Sequence, residues 1–325
     1  MREIDYSVVI RTTGKASEKY VALMNSINNL EPRPKEIIIV LPEGYPEPTY
    51  QLGWESFYYT KKGMVSQRLY GIEVCKTKYA LITDDDISFE SDFVEKLYEP
   101  IEKGLCKLSA GPLYSFLPEK GINSLIASVM GAAVPTVFNK KFYCNILRTT
   151  GYSYNCNLKQ EKKYYESQSL AWTCFFGEVE ALQKINMREE KWLDKHGYAS
   201  MDDTVMFYKA YLMGIKTYVV VDAIYQHLDA KTSTINNSDI VMYSTGFNRY
   251  VFWHRFIYSM EKNFVMKLWA RICFEYNKMM QLLFYWLNVK RGTLTKTDLQ
   301  QYKKGDKDAR AYRNDEEYLD MSREF

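Results

Sequence analysis

Four apolar residues, Tyr79, Ala80, Leu81 and Ile82, run through Thr83 into three adjacent carboxylates, Asp84, Asp85 and Asp86. A short continuous apolar run reads as a buried strand, so charge gathers at that strand's C-terminal edge. Packed like charges raise one another's pKa unless a cation or a set of donors offsets them, and a divalent metal is the economical explanation. Oxygen ligands of this kind suit Mg2+ or Mn2+, which prefer carboxylates together with substrate phosphates. The competing reading is a solvated acidic turn, with Ser91 and Asp92 capping a helix over Phe93 to Ile101.

The residues around this strand predict a parallel sheet. Tyr6 to Thr12 reads as a first buried strand, and Gly14 and Ser17 turn it into a helix with Tyr20, Leu23, Ile27 and Leu30 on one face. Pro32 and Pro34 stop that helix, and Glu36 to Leu41, rich in β-branched residues, is a second strand. Strand, helix and strand make a βαβ unit. A Pro/Gly-rich loop follows, then a short strand near Ser56 to Thr60 and a helix opened by Gly63 that runs through Leu69, Ile72 and Cys75. Beyond a helix ending near Gly104, CKLSAG reads as another strand.

The middle of the chain is less regular. Ile122, Leu125, Ile126, Val129 and Met130, between Pro112 and Pro135, recur at helical spacing and suit either a core helix or a lid. Lys140 to Gln168 is polar and tyrosine-rich, and reads as loops and weak strands along a substrate groove. Regular signals return with a strand at Ala171 to Phe176, a glycine at Gly177 and a helix to Ile185. Asp202 and Asp203 then precede an apolar-periodic helix through Val205, Met206, Tyr208 and Leu212, with Gly214 as its C-cap and KTYVVV as the next strand. Acids at a helix N-terminus also stabilise it through the macrodipole, but two are more than a cap needs. His227 follows that strand and is placed to face the same cleft, although a lone histidine is more often structural than a metal ligand.

Composition excludes several classes. At 325 residues the chain can form one large domain with an appendage or two small ones. Its 43 basic and 40 acidic residues leave a net charge near +3, which gives no ground for a nucleic-acid partner. Six cysteines show no CxxC pair and no regular framework, as expected of reduced thiols in a cytoplasmic protein. The 28 tyrosines suit sugar, base or membrane-interface contact as well as core packing. The N-terminus lacks a signal-peptide apolar region, and no uninterrupted run reaches the roughly 18 apolar residues of a spanning helix.

Taken in order, YSVVIRT, KKGMVSQRLYGI, TDDD, FFGEVEALQKI, MDDTVMFYKAYLMGIK, YQHL and YSTGFNRYVFWHRF (with Asn248 and Arg249) resemble a family 2 glycosyltransferase from about Tyr6 to Arg255. The resemblance implies the GT-A fold: α/β, Rossmann-like, a mostly parallel central sheet with helices on both faces, here with a C-terminal helical extension. It implies a catalytic domain over residues 1–235, with a donor half of about 1–112 and an acceptor half of about 113–235. Outside the strong resemblance, the extension would cover 236–292, and the mostly charged residues 293–325 read as a charged tail, either solvated or forming a short helix. The implied activity is an inverting, metal-dependent hexosyltransferase. It would move one sugar from a nucleotide-diphosphate sugar, UDP-linked by preference, to a hydroxyl of a glycan or lipid-linked acceptor in bacterial surface polysaccharide synthesis.

The same resemblance implies roles residue by residue. Asp203 would be the general base, and Asp86 would hold Mn2+ or Mg2+ with His227 completing its shell. Asp84, near the ribose or uracil, and Asp85, Thr12, Glu43 and Arg68 would bind the donor, while Trp172, Gly177 and Asp202 would line the acceptor side. Three positions depart from the family pattern: Arg11 replaces a proline, LPEG offers only Glu43 where an aspartate pair is usual, and Leu69 stands for an asparagine beside Arg68. The QxxRW motif of processive polymerases is absent, which favours transfer of a single sugar. Two rival readings are an inactive sugar-nucleotide or carbohydrate-binding protein of the same fold and a metal-dependent nucleotidyltransferase. The second lacks the expected Gly-rich phosphate loop with its lysine.

From Asn263 to Leu287, Phe264, Leu268, Trp269, Ile272, Tyr276, Met279, Leu283 and Trp286 recur at helical spacing among Lys267, Arg271, Glu275 and Lys278. This segment, 263–287, suits either packing on the catalytic domain or peripheral contact with the inner face of a membrane.

Overall fold

The computed structural model describes residues 3–112, 126, 129, 142–155, 162–228, 238–322 and 325. Its first unit is β1 (Tyr6–Arg11), α1 (Glu18–Asn28), β2 (Glu36–Pro42), β3 (Glu55–Thr60), α2 (Met64–Val74) and β4 (Tyr79–Asp84). Then come β5 (Ile87–Phe89), α3 (Phe93–Glu102), β6 (Leu108–Ala110), β7 (Cys144–Ile146), β8 (Ser153–Asn155) and β9 (Tyr164–Glu166). The next elements are β10 (Cys174–Glu178), α4 (Val179–Ile185), α5 (Asp202–Leu212), β11 (Thr217–Val220) and β12 (Tyr225–His227). Four helices close the chain: α6 (Ser238–Phe252), prolonged by a wide π-type turn over Trp253–Tyr258, α7 (Phe264–Lys290), α8 (Lys296–Tyr312) and α9 (Glu316–Leu319).

Eight strands form the central sheet in the order β3-β2-β1-β4-β10-β6-β11-β9. The pairs from β3 to β4 are parallel, β10 lies antiparallel to both β4 and β6, and β11 is parallel to β6. Burial on both faces explains the apolar runs of the central strands. Val9, Ile38, Val40 and Ile82 point to one core shared with α2, α4 and α5, while Val8, Ile37, Ile39 and Leu81 point to a second core under α1 and α3. The architecture is thus mixed α/β with a mostly parallel sheet, helices on both faces and a helical C-terminal region.

Several expectations shift. The strand expected over Ala171 to Phe176 begins at Cys174 and continues through Gly177 to Glu178, because β4 pairs with it as far as Glu178 and β6 as far as Gly177. Tyr225–His227 is itself a strand, paired with β5. The charged segment 293–325 takes the helical alternative rather than that of a solvated tail, and holds α8 and α9. Tyr302, Gly305, Ala309 and Tyr312 form a narrow buried stripe on α8, and Gly246 of α6 and Gly305 of α8 let the two backbones touch. A Cβ on Gly246 would stand 2.2 Å from the Tyr302 carbonyl oxygen, and one on Gly305 2.1 Å from that of Tyr243. The helix-or-lid segment between Pro112 and Pro135 and part of the tyrosine-rich stretch lie outside the described residues, Ile126 and Val129 apart. Cys75, Cys106, Cys174 and Cys273 are buried thiols.

Candidate active site

β1 and β4 end flush, with Arg11 paired in register against Asp84. That register aims a guanidinium at a carboxylate: Arg11 Nε donates to Asp84 Oδ1 at 2.8 Å and Nη2 to Oδ2 at 2.9 Å. Arg68, on the first turns of α2, donates through Nη2 to the same two oxygens at 2.8 and 3.1 Å. Burial alone would raise the pKa of Asp84, but the two arginines outweigh it and hold the carboxyl below its ordinary range. Asp84 is thereby ionised and fixed.

Its neighbours differ. Asp85 is buried, which raises its pKa to about 6 against the lowering effect of Thr12, whose hydroxyl donates to Oδ2 at 2.5 Å. Asp86 sits where β5 begins. Antiparallel pairing of β12 with β5 sets His227 opposite Ile87, bringing His227 Nε2 to 3.3 Å from Asp86 Oδ1. The Leu228 amide donates to the Asp86 carbonyl at 2.8 Å, fixing this corner of the backbone.

The acidic pair at the start of α5 meets this cluster through Arg68. Its Nη1 donates to Asp202 Oδ2 at 2.7 Å, and its guanidinium lies 5.0 Å from the centre of the Trp172 ring. Asp202 Oδ1 accepts from the Asp203 amide at 2.9 Å, so both oxygens of Asp202 are engaged. Asp203 Oδ1 accepts from the Thr204 amide at 2.6 Å; among the described residues Oδ2 accepts no hydrogen bond. Burial raises the pKa of both acids, and repulsion from Asp202 helps carry Asp203 to about 6. Met201, just before the pair, has φ 73°, a left-handed conformation uncommon for such a side chain and often found at functional sites.

Thr12, Arg68, Asp84, Asp85, Asp86, Trp172, Asp202, Asp203 and His227 therefore belong to one constellation. Two expected members stand apart from it. Glu43 is exposed at the end of β2 and makes no polar side-chain contact with that set among the described residues. Gly177 lies in the sheet between β4 and β6, where a Cβ would come within 2.3 Å of Leu108 Cδ2. Its small size serves strand packing rather than an acceptor surface.

Sequence reasoning left the structural parts of three residues unread. Arg11 registers there only as a departure from a proline, and pairing it with Asp84 needs the strand register. Asn248 of α6 is fully buried, and its Nδ2 lies 3.0 Å from the Ser200 carbonyl and 3.4 Å from that of Tyr198, steadying the loop before the acid pair. Asp194 accepts from the amides of Val65 and Ser66, capping α2 from a distance of 128 to 129 residues and so setting the helix that carries Arg68. No local spacing signals either contact.

The donor set bears on a divalent cation. Both oxygens of Asp84 are spent on arginines, leaving Asp86 and His227 as an adjacent oxygen and imidazole pair. Among the described residues no group of three His, Cys, Asp or Glu side chains converges as a metal cage. Mg2+ and Mn2+ sites commonly use one or two protein ligands and complete the shell with phosphate oxygens and water, so the pair fits a cation that arrives with a diphosphate.

Residues 7–185, more than half of the chain, match the family model described as Glycosyl transferase family 2. No curated protein matches the chain. Among solved structures it resembles the crystal structure of GalNAc-T7 with UDP, GalNAc and Mn2+, at 13% identity and a TM-score of 0.49. That alignment covers 88% of this chain and 57% of the other, so this chain spans under two thirds of that structure's length.

Proposed function

The chain belongs to glycosyl transferase family 2, and from that premise we propose that it moves a single sugar, with inversion, from a uridine diphosphate sugar to a hydroxyl of a glycan or lipid-linked acceptor. One observation carries the reading: Arg68 donates to both Asp84 and Asp202, so the acidic end of β4 and the acid pair of α5 share one site.

In this mechanism Asp203 takes the proton of the acceptor hydroxyl as that oxygen attacks the anomeric carbon from the face opposite the diphosphate. The new glycosidic bond forms as the bond to the diphosphate breaks, which inverts the anomeric centre. A carboxyl with a pKa near 6 and an unengaged oxygen suits the base, whereas Asp202 is bound to Arg68 and orients its neighbour. Asp84, held by Arg11 and Arg68, presents a fixed charge toward the nucleoside, with Thr12 and Asp85 beside it. Asp86 and His227 would hold Mn2+ or Mg2+, which neutralises charge developing on the leaving diphosphate.

Release of UDP from UDP-glucose, UDP-galactose and their N-acetylated counterparts with Mn2+, beside thermal-shift measurement of donor binding, tests the reading. Turnover with at least one donor, lowered 10²–10⁴-fold in Asp203→Asn with binding retained, supports it. Binding without turnover for every donor would favour a binding protein of the same fold. Undiminished turnover in Asp203→Asn would remove that residue as base.

A further inference from the structure

The helix α7 is 27 residues long, about 40 Å at the usual rise, and it is buried along only one side. Ala270, Cys273, Phe274 and Asn277 face the protein, with the Phe274 ring stacked 4.2 Å from that of Trp253. The opposite side is apolar and open. Phe264 is 78% exposed, and Leu268, Trp269, Ile272, Met279, Leu283 and Trp286 are each about half exposed. At about 100° per residue these side chains fall on one stripe from end to end. A soluble monomer rarely leaves so long an apolar strip in water.

Charge indicates what covers it. The helix holds four cations, Lys267, Arg271, Lys278 and Lys290, and one acid, Glu275. Glu275 is already bonded to Lys278 and Arg310. Arg271 and Lys290 are exposed, as are Lys262 and Arg291 just beyond the helix ends. An antiparallel second copy would set this basic edge against itself with no acid to answer it, whereas anionic headgroups supply the missing charge. No helix among the described residues is long and apolar enough to cross a bilayer, and cations set along an apolar stripe are the pattern of a helix lying in the interface.

We propose that α7 docks the protein on an anionic membrane, its stripe entering the headgroup region and Arg271 and Lys290, with the flanking Lys262 and Arg291, resting among the phosphates. This inference is independent of the sugar-transfer reading, because vesicle binding needs no donor, and either can fail alone.

The test is co-sedimentation of the full chain with phosphatidylcholine vesicles and with phosphatidylcholine vesicles containing about a third phosphatidylserine. The expected result is binding at least several-fold stronger to the anionic vesicles, weakened by added salt, with a blue shift of tryptophan emission from Trp269 and Trp286. Leu268→Glu with Ile272→Glu should lower binding at least tenfold, with an unchanged unfolding midpoint because both side chains are exposed. Equal sedimentation of parent and variant, or indifference to lipid charge and salt, would overturn the proposal. So would a dimer by light scattering that those substitutions dissociate while vesicles bind neither form, since a second copy would then own the stripe.

Discussion

Asp202 and Asp203 are neighbours in sequence with different partners: one is clasped by Arg68, while the other, among the described residues, keeps an oxygen unengaged. Activity should therefore rise with pH through a limb near 6, where Asp203 loses its proton, and Asp203→Asn should abolish that limb along with most turnover. A pH profile of kcat/KM for parent, Asp202→Asn and Asp203→Asn checks this; Asp202→Asn should keep more activity than Asp203→Asn. Stability should move the other way. Asp85 and Asp203 hold their protons more tightly folded, with pKa about 6, than unfolded. Their contribution is fully present below pH of about 4 and is lost as pH rises through about 6. A further expectation concerns the crowded triplet. Asp86→Ala should remove Mn2+-dependent nucleotide binding while leaving the metal-free unfolding midpoint equal or higher, since one member of a repelling set is gone; thermal shift with and without Mn2+ measures both. The acids were legible in the sequence because adjacency of like charge is itself a signal. The contacts of Arg11 and Asn248 were not, because their partners lie 73 and 48 residues away in the chain.

Among elements, those with a strong period were readable: α1, α2, α5 and α7 begin and end within a few residues of their sequence signals, and the apolar runs of β1, β2 and β4 are the middle of the sheet. Weak periods misled. Charge dominates α8, and the small residues that let it nest on α6 look like nothing in a hydrophobic pattern. Gly305→Val tests that nesting. Its added atoms would meet the Tyr243 carbonyl, so the helices must separate, at a cost of roughly 1–3 kcal/mol or more. Urea unfolding should show the loss, while turnover per folded molecule stays near that of the parent, because the contact lies outside the candidate site.

For the whole molecule, the α/β part and the C-terminal helices are joined by a buried ion cluster. Glu190, fully inaccessible, accepts from Lys209 of α5 at 2.8 Å and from Arg255, after α6, at 2.8 and 2.9 Å. Burial would raise the pKa of Glu190, but the two cations hold it below its usual range. Stability from this carboxylate is accordingly present above the ordinary glutamate pKa and lost as pH falls through its lowered value. Arg255→Met leaves Glu190 with Lys209 as its remaining cation and removes both guanidinium hydrogen bonds to it, so it should destabilise by about 1–3 kcal/mol. Unfolding followed by fluorescence and by circular dichroism should still give one coincident transition, since both parts share this cluster.

The place of β10 between β4 and β6 has a consequence for synthesis. A growing chain on the ribosome makes β4 by residue 84 and β6 by residue 110, yet the strand that joins them begins only at Cys174. Until then the newborn sheet carries an open, apolar margin of the kind that recruits other unfinished chains. The strands on either side of β10 are thus one folding unit in time as well as space, and a nascent chain stalled before Cys174 should depend on chaperones that the finished protein does not need.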